Sequence, residues 1–394
     1  MTTKQELLAI TDSCVKCGIC LPHCPTYTHA QNENESPRGR IALIQAWAGG
    51  NLSLTDNLRQ HIDTCLLCRA CEKACPAVVP YGKLIDDFRA EIYSDITSPF
   101  SIKIVKKLAE NKRIQNWTKS ALIFYQQQNL QETVRFLRLP TILGLNRLER
   151  LVPNVSKSAP LKNFYSAKNE VKGDVGLFVG CMGELFDLET VNAAIMLLTH
   201  VGFNVHLPEN QTCCGALTLH DGDTKTAQHL AQQNQAAFTN ENLQTIITIA
   251  SGCGATLKDY IPNSVDISHF LVQFEFDLKP LTANIQVHSP CTLKNVLKTD
   301  KSVLKLLKKI PAANISSLPE TTQCCGSAGT YSLKHEKTAK TLLNELVEKA
   351  LEKPADYLVS SNVGCALHIS AGLREQGKQL KVIHPIVLLE QQLK

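Results

Sequence analysis

Eight cysteines near the start of the chain fall into two runs of identical spacing, and nothing else in its 394 residues restricts the fold as strongly. Cys14, Cys17, Cys20 and Cys24 are followed at once by Pro25, and Cys65, Cys68, Cys71 and Cys75 by Pro76. Each run reads C-x2-C-x2-C-x3-C-P. The first three thiolates lie on one tight loop that can wrap three corners of a cubane, while the fourth cannot reach the same cluster and ligates the other. The spacing therefore predicts two [4Fe–4S] clusters. Cys14, Cys17, Cys20 and Cys75 would hold one; Cys65, Cys68, Cys71 and Cys24 would hold the other. Each proline has no N–H to give a helix and redirects the chain after the last ligand. Structural zinc also uses C-x2-C pairs, but as two separated pairs, with no use for a third thiolate two residues further on.

Between the runs, Ser36-Pro37-Arg38-Gly39-Arg40 precedes an apolar-periodic stretch, Ile41 to Trp47, that reads as a helix. Arg38 and Arg40 would either lower the cost of adding negative charge to a nearby cluster or stand solvated at the helix start. Residues 1–98 form a small helical ferredoxin-type domain on this reading. Residues 99–165 contain no cysteine, and from Lys103 to Arg150 ten Lys or Arg face three Glu. Ile102, Val105 and Leu108, and again Leu122 and Tyr125, recur at helical spacing. This stretch reads as a helical connector packed on its neighbours, or as a basic amphipathic surface for a partner or an anionic membrane.

The remainder repeats itself. Cys181, Cys213-Cys214-Gly215 and Cys253 return some 110 residues later as Cys291, Cys324-Cys325-Gly326 and Cys365. The intervals are 32 and 39 residues in the first set and 33 and 40 in the second, which reads as a tandem duplication over 166–278 and 279–394. Short apolar runs lead toward the cysteines: Val175 to Gly180, Ile246 to Ala250, Ile285 to His288 and Tyr357 to Ser360. Helical patterns such as Thr190 to Val201 and Thr338 to Leu351 separate them. Strands alternating with helices predict parallel βαβ units whose strand ends share one edge. The four cysteines of each repeat would converge there on an iron–sulfur or other metal site, and a glycine after the pair would let backbone pass close to a bulky cofactor. The expected class is thus α+β multidomain: a helical two-cluster domain, then two α/β repeats with parallel strands.

Composition narrows the setting. Sixteen cysteines in a chain of this size point to metal in a reducing, cytoplasmic compartment, because clustered thiols there seldom form disulfides. Lys4, Gln5 and Glu6 occupy the place of a secretory apolar region, and no apolar run reaches membrane-spanning length, so any membrane association would be peripheral. A net charge of +5 falls short of a nucleic-acid signature.

The motifs Cys24-Pro25-Thr26-Tyr27, Pro37-Arg38-Gly39-Arg40, Cys213-Cys214-Gly215-Ala216-Leu217 and Cys324-Cys325-Gly326-Ser327-Ala328-Gly329-Thr330-Tyr331 give the chain, over nearly its whole length, a sequence that resembles the iron–sulfur subunit of glycolate oxidase. Subunits of anaerobic glycerol-3-phosphate dehydrogenase, lactate-utilisation complexes and heterodisulfide reductase share the plan. The resemblance implies an electron-transfer subunit: a flavin-bearing partner oxidises the 2-hydroxy acid, and this chain passes electrons toward a quinone or other respiratory acceptor. No G-x-G-x-x-G fingerprint is present, and no catalytic residue is assigned to this chain. In the heterodisulfide reductase branch each repeat ends in C-x-x-C; here Thr256 and His368 stand at the fifth position, which argues against a disulfide-reducing cluster. His368, or His288 beside Cys291, would be the histidine candidates to replace the missing thiolate.

Overall fold

The computed structural model describes residues 3–93, 99–128, 130–155, 159–239, 242–319 and 324–394. The boundary expected at residue 98 lies outside the described residues. The cysteine-run block is helical, with α1 (Lys4–Asp12), α2 (Pro25–Ala30), α3 (Pro37–Ala48), α4 (Asp56–Asp63), α5 (Ala70–Ala74) and α6 (Tyr81–Glu91). Helix α1 opens with a capping box between Thr3 and Glu6. Pro25 and Pro37 sit in first turns, where a missing N–H costs nothing. Helix α3 begins at Pro37 rather than Ile41, because the Ser36 hydroxyl accepts the Gly39 N–H at 2.8 Å and caps it. Leu7, Ile44, Ile62, Leu84, Ile85 and Phe88 are sealed from solvent between these helices, with Trp47 set edge-on against Phe88.

The connector comprises α7 (Phe100–Glu110), α8 (Lys112–Gln127), α9 (Leu130–Phe136), α10 (Leu139–Ile142) and α11 (Asn146–Leu151). Its last residues form a short strand, β1 (Phe164–Tyr165), which pairs antiparallel with the first sheet.

The first repeat runs β2 (Gly173–Phe178), α12 (Gly180–Phe186), α13 (Leu188–His200), β3 (Phe203–His206), α14 (Ala216–His220), α15 (Thr224–Thr239), β4 (Thr245–Thr248), α16 (Ser251–Leu257), β5 (Ser264–Asp266) and α17 (Ile267–Leu271). The second runs β6 (Asn284–His288), a π-helical turn (Thr292–Leu297), α18 (Asp300–Leu307), β7 (Asn314–Ser317), α19 (Tyr331–Lys334), α20 (Glu336–Leu351), β8 (Tyr357–Ser360), α21 (Val363–Glu375), β9 (Lys381–Ile383) and α22 (Pro385–Glu390).

The sheets are ordered β1-β3-β2-β4-β5 and β7-β6-β8-β9, parallel apart from β1. Val175 of β2 stands opposite Val205 and Thr245, and Ile285 of β6 opposite Ile315 and Tyr357, so the registers of the repeats correspond. Each order reverses at its first strand, the kind of place where open α/β sheets collect ligands beyond the strand ends. One apolar core joins the repeats: Leu197 and Leu198 of α13 share it with Val303, Leu306 and Leu307 of α18 and with Ile386 to Leu389 of α22.

Candidate metal centres

Both cysteine loops depend on left-handed backbone at matching places. Lys16 and Leu67, each just before the second cysteine of its run, have φ of 54° and 50°. Gly18 and Arg69, each just after it, have φ of 86° and 55°. Alternation of this kind turns successive N–H groups toward the inside of a loop, making a concavity that suits an anionic occupant.

The loops line two adjoining hollows. One, about 450 Å³, is walled by Cys14, Cys17, Cys20 and Cys75, with Val15, Ile19, Arg38 and Val79 at its sides. The other, about 300 Å³, is walled by Cys24, Cys65 and Cys68, with Thr26, Arg40 and Leu66. Cys71, Tyr81 and Pro37 face both and form the partition. Among the described residues no three His, Cys, Asp or Glu side chains are arranged to hold a single ion. Sulfurs spread around an open hollow instead of meeting at a point fit a polynuclear cluster, so the residues present suit iron–sulfur. Cys17 is exposed, whereas Cys24, Cys65 and Cys71 are buried, so the first hollow is the one that meets the surface at a cysteine.

The solvated alternative for the two arginines fails for Arg40, whose side chain lies wholly inside the protein. Its Nε donates to the His61 carbonyl at 2.7 Å, its Nη1 to Thr26 Oγ1 at 3.1 Å, and its Nη2 to Glu35 at 2.7 Å and to Thr64 Oγ1 at 3.0 Å. Burial works against its charge, but Tyr81, Cys65, Cys24 and Glu35 around it hold the guanidinium protonated even more firmly than usual. Glu35 also accepts from Thr64 and from His61 Nδ1, and with the Arg40 charge these bonds overcome burial and keep the carboxylate ionised. A fixed cation therefore stands at the second hollow. Arg38 is partly exposed, pairs with Glu33 at 2.7 Å, and donates to the Lys16 carbonyl at 3.2 Å, bracing the first loop. Burial and neighbouring thiols push Cys68 and Cys71 well above a free thiol, so holding them as thiolates requires positive charge from whatever they ligate.

In the repeats, the cysteines lie beyond the ends of β2, β3 and β4, and of β6, β7 and β8. Cys181 Sγ is 3.6 Å from Cys213, and side-chain contacts continue from Cys213 to Cys214 and from there to Cys253. In the second set Cys325 Sγ is 3.1 Å from Cys365, with Cys324 linking Cys291 to Cys325. Each quartet is thus a continuous chain of sulfurs. Cys324, accepting from both neighbours, is pulled well below a free thiol, while Cys291 and Cys325 are pushed up.

The glycines after the double cysteines have a different use from the one read in the sequence. Gly215 and Gly326 take φ of 84° and 80°, and a Cβ on Gly326 would meet the Ala339 carbonyl at 2.6 Å. The close neighbour is the backbone of the following long helix, α15 or α20. Each histidine candidate is held through its Nδ1, and the buried Nε2 of His368 has no hydrogen-bond partner among the described residues. His288 Nδ1 faces Ser360 Oγ at 3.0 Å, and His368 Nδ1 faces Arg147 Nη2 at 3.1 Å. Burial lowers both to about 4, with the Arg147 charge a further cause at His368.

The quartets are not equivalent toward the cysteine-run block. Cys68 packs beside Cys324, Leu66, Tyr331 and Leu342, and its carbonyl accepts from Asn295 at 2.8 Å. The first quartet is enclosed by Ala109, Phe178, Leu230 and Phe238 instead. A buried ion network, invisible to short-range patterning, ties the parts together. Asp221 bridges Lys106 of α7 and Lys334 of α19, and Lys334 and His335 also reach Asp63 at 3.2 and 3.0 Å. Arg89 donates to the carbonyls of Ile62, Asp63, Cys65 and His220, fixing the start of the second cysteine loop against the first repeat.

Two family models match three stretches of the chain. Residues 10–79 match the 4Fe-4S dicluster domain, and residues 175–258 and 285–370 each match the cysteine-rich domain. A probable glycolate oxidase iron–sulfur subunit from Bacillus subtilis is 32% identical across 97% of this chain and 96% of its own length. The glycolate oxidase iron–sulfur subunit of Escherichia coli is 27% identical across 98% of this chain and 95% of its own. Lactate utilization protein A of a Geobacillus strain is 30% identical, but over 53% of this chain.

Proposed function

The chain belongs to the family of glycolate oxidase iron–sulfur subunits, and from that premise we propose that it carries electrons for a flavin-dependent 2-hydroxy-acid dehydrogenase, with glycolate oxidised on a partner subunit. The observation that carries this reading is the pair of cysteine-lined hollows sharing one wall, with Cys17 at the surface. Cys14, Cys17, Cys20 and Cys75 would hold one [4Fe–4S] cluster; Cys65, Cys68, Cys71 and Cys24 would hold the second. When bound, such clusters accept and release single electrons over a wide span of potentials.

The protein's own part is to place and tune. Tyr81 and Cys71 keep water out of the space between the hollows. Arg40 supplies a buried positive charge that favours the reduced, more negative state at the second hollow. Val15 and Ile19 give an exposed apolar rim beside Cys17, where a flavin-bearing partner can approach within electron-transfer reach. The repeat quartets, Cys181, Cys213, Cys214 and Cys253 with Cys291, Cys324, Cys325 and Cys365, would form a further iron–sulfur or metal site, the second lying beside Cys68. Electrons would then leave toward a quinone or other respiratory acceptor. The proposed place of work is the cytoplasm, at the inner face of the cell membrane; no helix among the described residues is long and apolar enough to cross it. No general acid or base is assigned here.

Glycolate is preferred to lactate because the two glycolate relatives match almost the whole chain, while the lactate protein matches about half. The test is anaerobic affinity purification from the native cell, followed by iron analysis and addition of each acid while flavin absorbance is watched. A co-purifying flavoprotein bleached by glycolate supports the reading. Bleaching by lactate or glycerol 3-phosphate alone moves the substrate, and the absence of any flavoprotein overturns the assignment.

A further inference from the structure

The connector presents large apolar side chains to solvent in a way the cysteine centres do not explain. Within eight consecutive residues, Phe136 is 86% exposed, Ile142 73%, Leu143 58%, Leu137 53% and Leu139 40%. They do not line a groove. Arg138, at φ 54°, turns the chain sharply between α9 and α10, and Gly144, at φ 66°, turns it again after α10. The principal packing of these two short helices is within the connector, on α8 and α11, so together they make a convex knuckle. Pro140 is buried beneath it, which anchors α10 while its other residues face outward.

Charge accompanies the apolar surface. Arg138 is exposed at the turn, between Leu137 and Leu139, and makes no ion pair among the described residues. Arg135 and Glu149 satisfy each other at 2.7 Å. On α8, Arg113, Trp117 and Phe124 fall on one stripe by helical spacing, and all three are exposed. Of the ten Lys or Arg between Lys103 and Arg150, Lys106, Lys112, Arg135, Arg147 and Arg150 are ion-paired, while Lys103, Lys107, Arg113 and Arg138 are exposed and make no ion pair among the described residues. Aliphatic and aromatic side chains beside an unpaired arginine are what an interfacial lipid contact uses. The unpaired Arg138 set among these apolar side chains is a charge that lipid phosphate complements.

We propose that the knuckle of α9 and α10 is a membrane-docking surface that seats on an anionic lipid bilayer. The inference rests on the electron-transfer reading for its purpose, since a lipid-soluble acceptor is met at the membrane; the docking itself is measured on the chain alone. Phe136 and Ile142 enter the boundary between headgroups and acyl chains, and Arg138 meets lipid phosphate.

The experiment is flotation of the iron-loaded chain, under argon, with vesicles of phosphatidylcholine alone or with about one-third phosphatidylglycerol. Binding to the anionic vesicles that weakens with salt is expected. Phe136→Ser with Ile142→Ser should lower it about 100-fold, and Arg138→Gln about fivefold at low salt. Both positions are exposed, so iron content and the helical circular dichroism should match the parent. No binding to anionic vesicles, or variants that bind like the parent, overturns the proposal. So does binding that is kept while the variants lose a co-purifying flavoprotein, which makes the knuckle a protein interface. Reduction of a water-soluble dye by the assembled complex separates the two readings: variants that leave the membrane yet reduce dye normally keep the electron-transfer reading intact. Vesicle binding by a complex that reduces no dye refutes that reading alone.

Discussion

Replacing Arg40 by methionine removes the one cation wholly sealed from solvent among the described residues and leaves its surroundings nearly the same size. Four acceptors each lose one donor: the Glu35 carboxylate, the hydroxyls of Thr26 and Thr64, and the His61 carbonyl. Breaking one partner out of a buried ion pair costs about 3–5 kcal/mol, because the remaining charge keeps its desolvation penalty. Glu35 retains bonds from Thr64 and His61, which places the expected loss near the lower end, at about 3 kcal/mol. With a urea slope of about 1–3 kcal/mol per molar, the midpoint should fall by about 1 M or more. The assay is an anaerobic urea series at fixed incubation, read by iron–sulfur absorbance and by circular dichroism. Arg40→Met combined with Glu35→Gln should recover about 2 kcal/mol relative to additive losses, because no carboxylate is then stranded. A single Arg40→Met variant whose midpoint matches the parent, with the same iron content, would refute the argument that this guanidinium holds the second hollow together.

Four other outcomes are expected. Cys68→Ser should block electron delivery to a quinone analogue while substrate still bleaches the partner flavin, checked by stopped-flow absorbance; unchanged quinone reduction counts against the relay. Asp221→Asn leaves Lys106 and Lys334 facing a neutral amide, and a loss of about 3 kcal/mol should show as a lower melting temperature. Asp266 is held up at about 6 by burial although it accepts from Ser268 and His269, so its contribution is full below the ordinary value of 3.8 and is lost as pH rises to about 6. Asp266→Asn keeps the helix cap and should add about 2–3 kcal/mol above pH 6 and nothing below pH 4, read from urea midpoints against pH. Gly326→Ala should cost about 3 kcal/mol from left-handed strain and collision with Ala339, whereas Gly377→Ala, at φ 65° with open space around it, should cost about 1 kcal/mol.

Features encoded over a few residues could be read before any coordinates. The strands leading to the repeat cysteines lie within about two residues of the apolar runs that mark them, and β8 spans Tyr357 to Ser360 as read. Helices α13 and α20 begin two residues before the patterns Thr190 to Val201 and Thr338 to Leu351. The short strands β5 and β9, of three residues each, carry too little alternation to register. Strand β1 belongs to the first sheet although the cysteine-free stretch that reads as a connector runs to residue 165. What stayed hidden depends on residues far apart in the chain. Arg40 looks like any helix-start arginine until Thr26, Glu35, His61 and Thr64 close over it. Glycine after a cysteine pair suggests a cofactor, and only the position of α20 shows that Gly326 is needed for helix backbone. The Asp221 network draws on four segments, which no local period could announce.

Helix α22 has a consequence for how the protein is made. Its Ile386, Val387, Leu388 and Leu389 complete a core whose other walls are α13 of the first repeat and α18 of the second. Leu393 also pairs with Leu278, beside the junction of the repeats. A ribosome therefore leaves the side of α13 that α22 covers open until residues 386–389 have been made. The cysteine-run block, whose core draws on residues before 93, meets no such delay. Iron loading before residue 93 and sealing of the α13 face by α22 are set apart in time by the synthesis of both repeats.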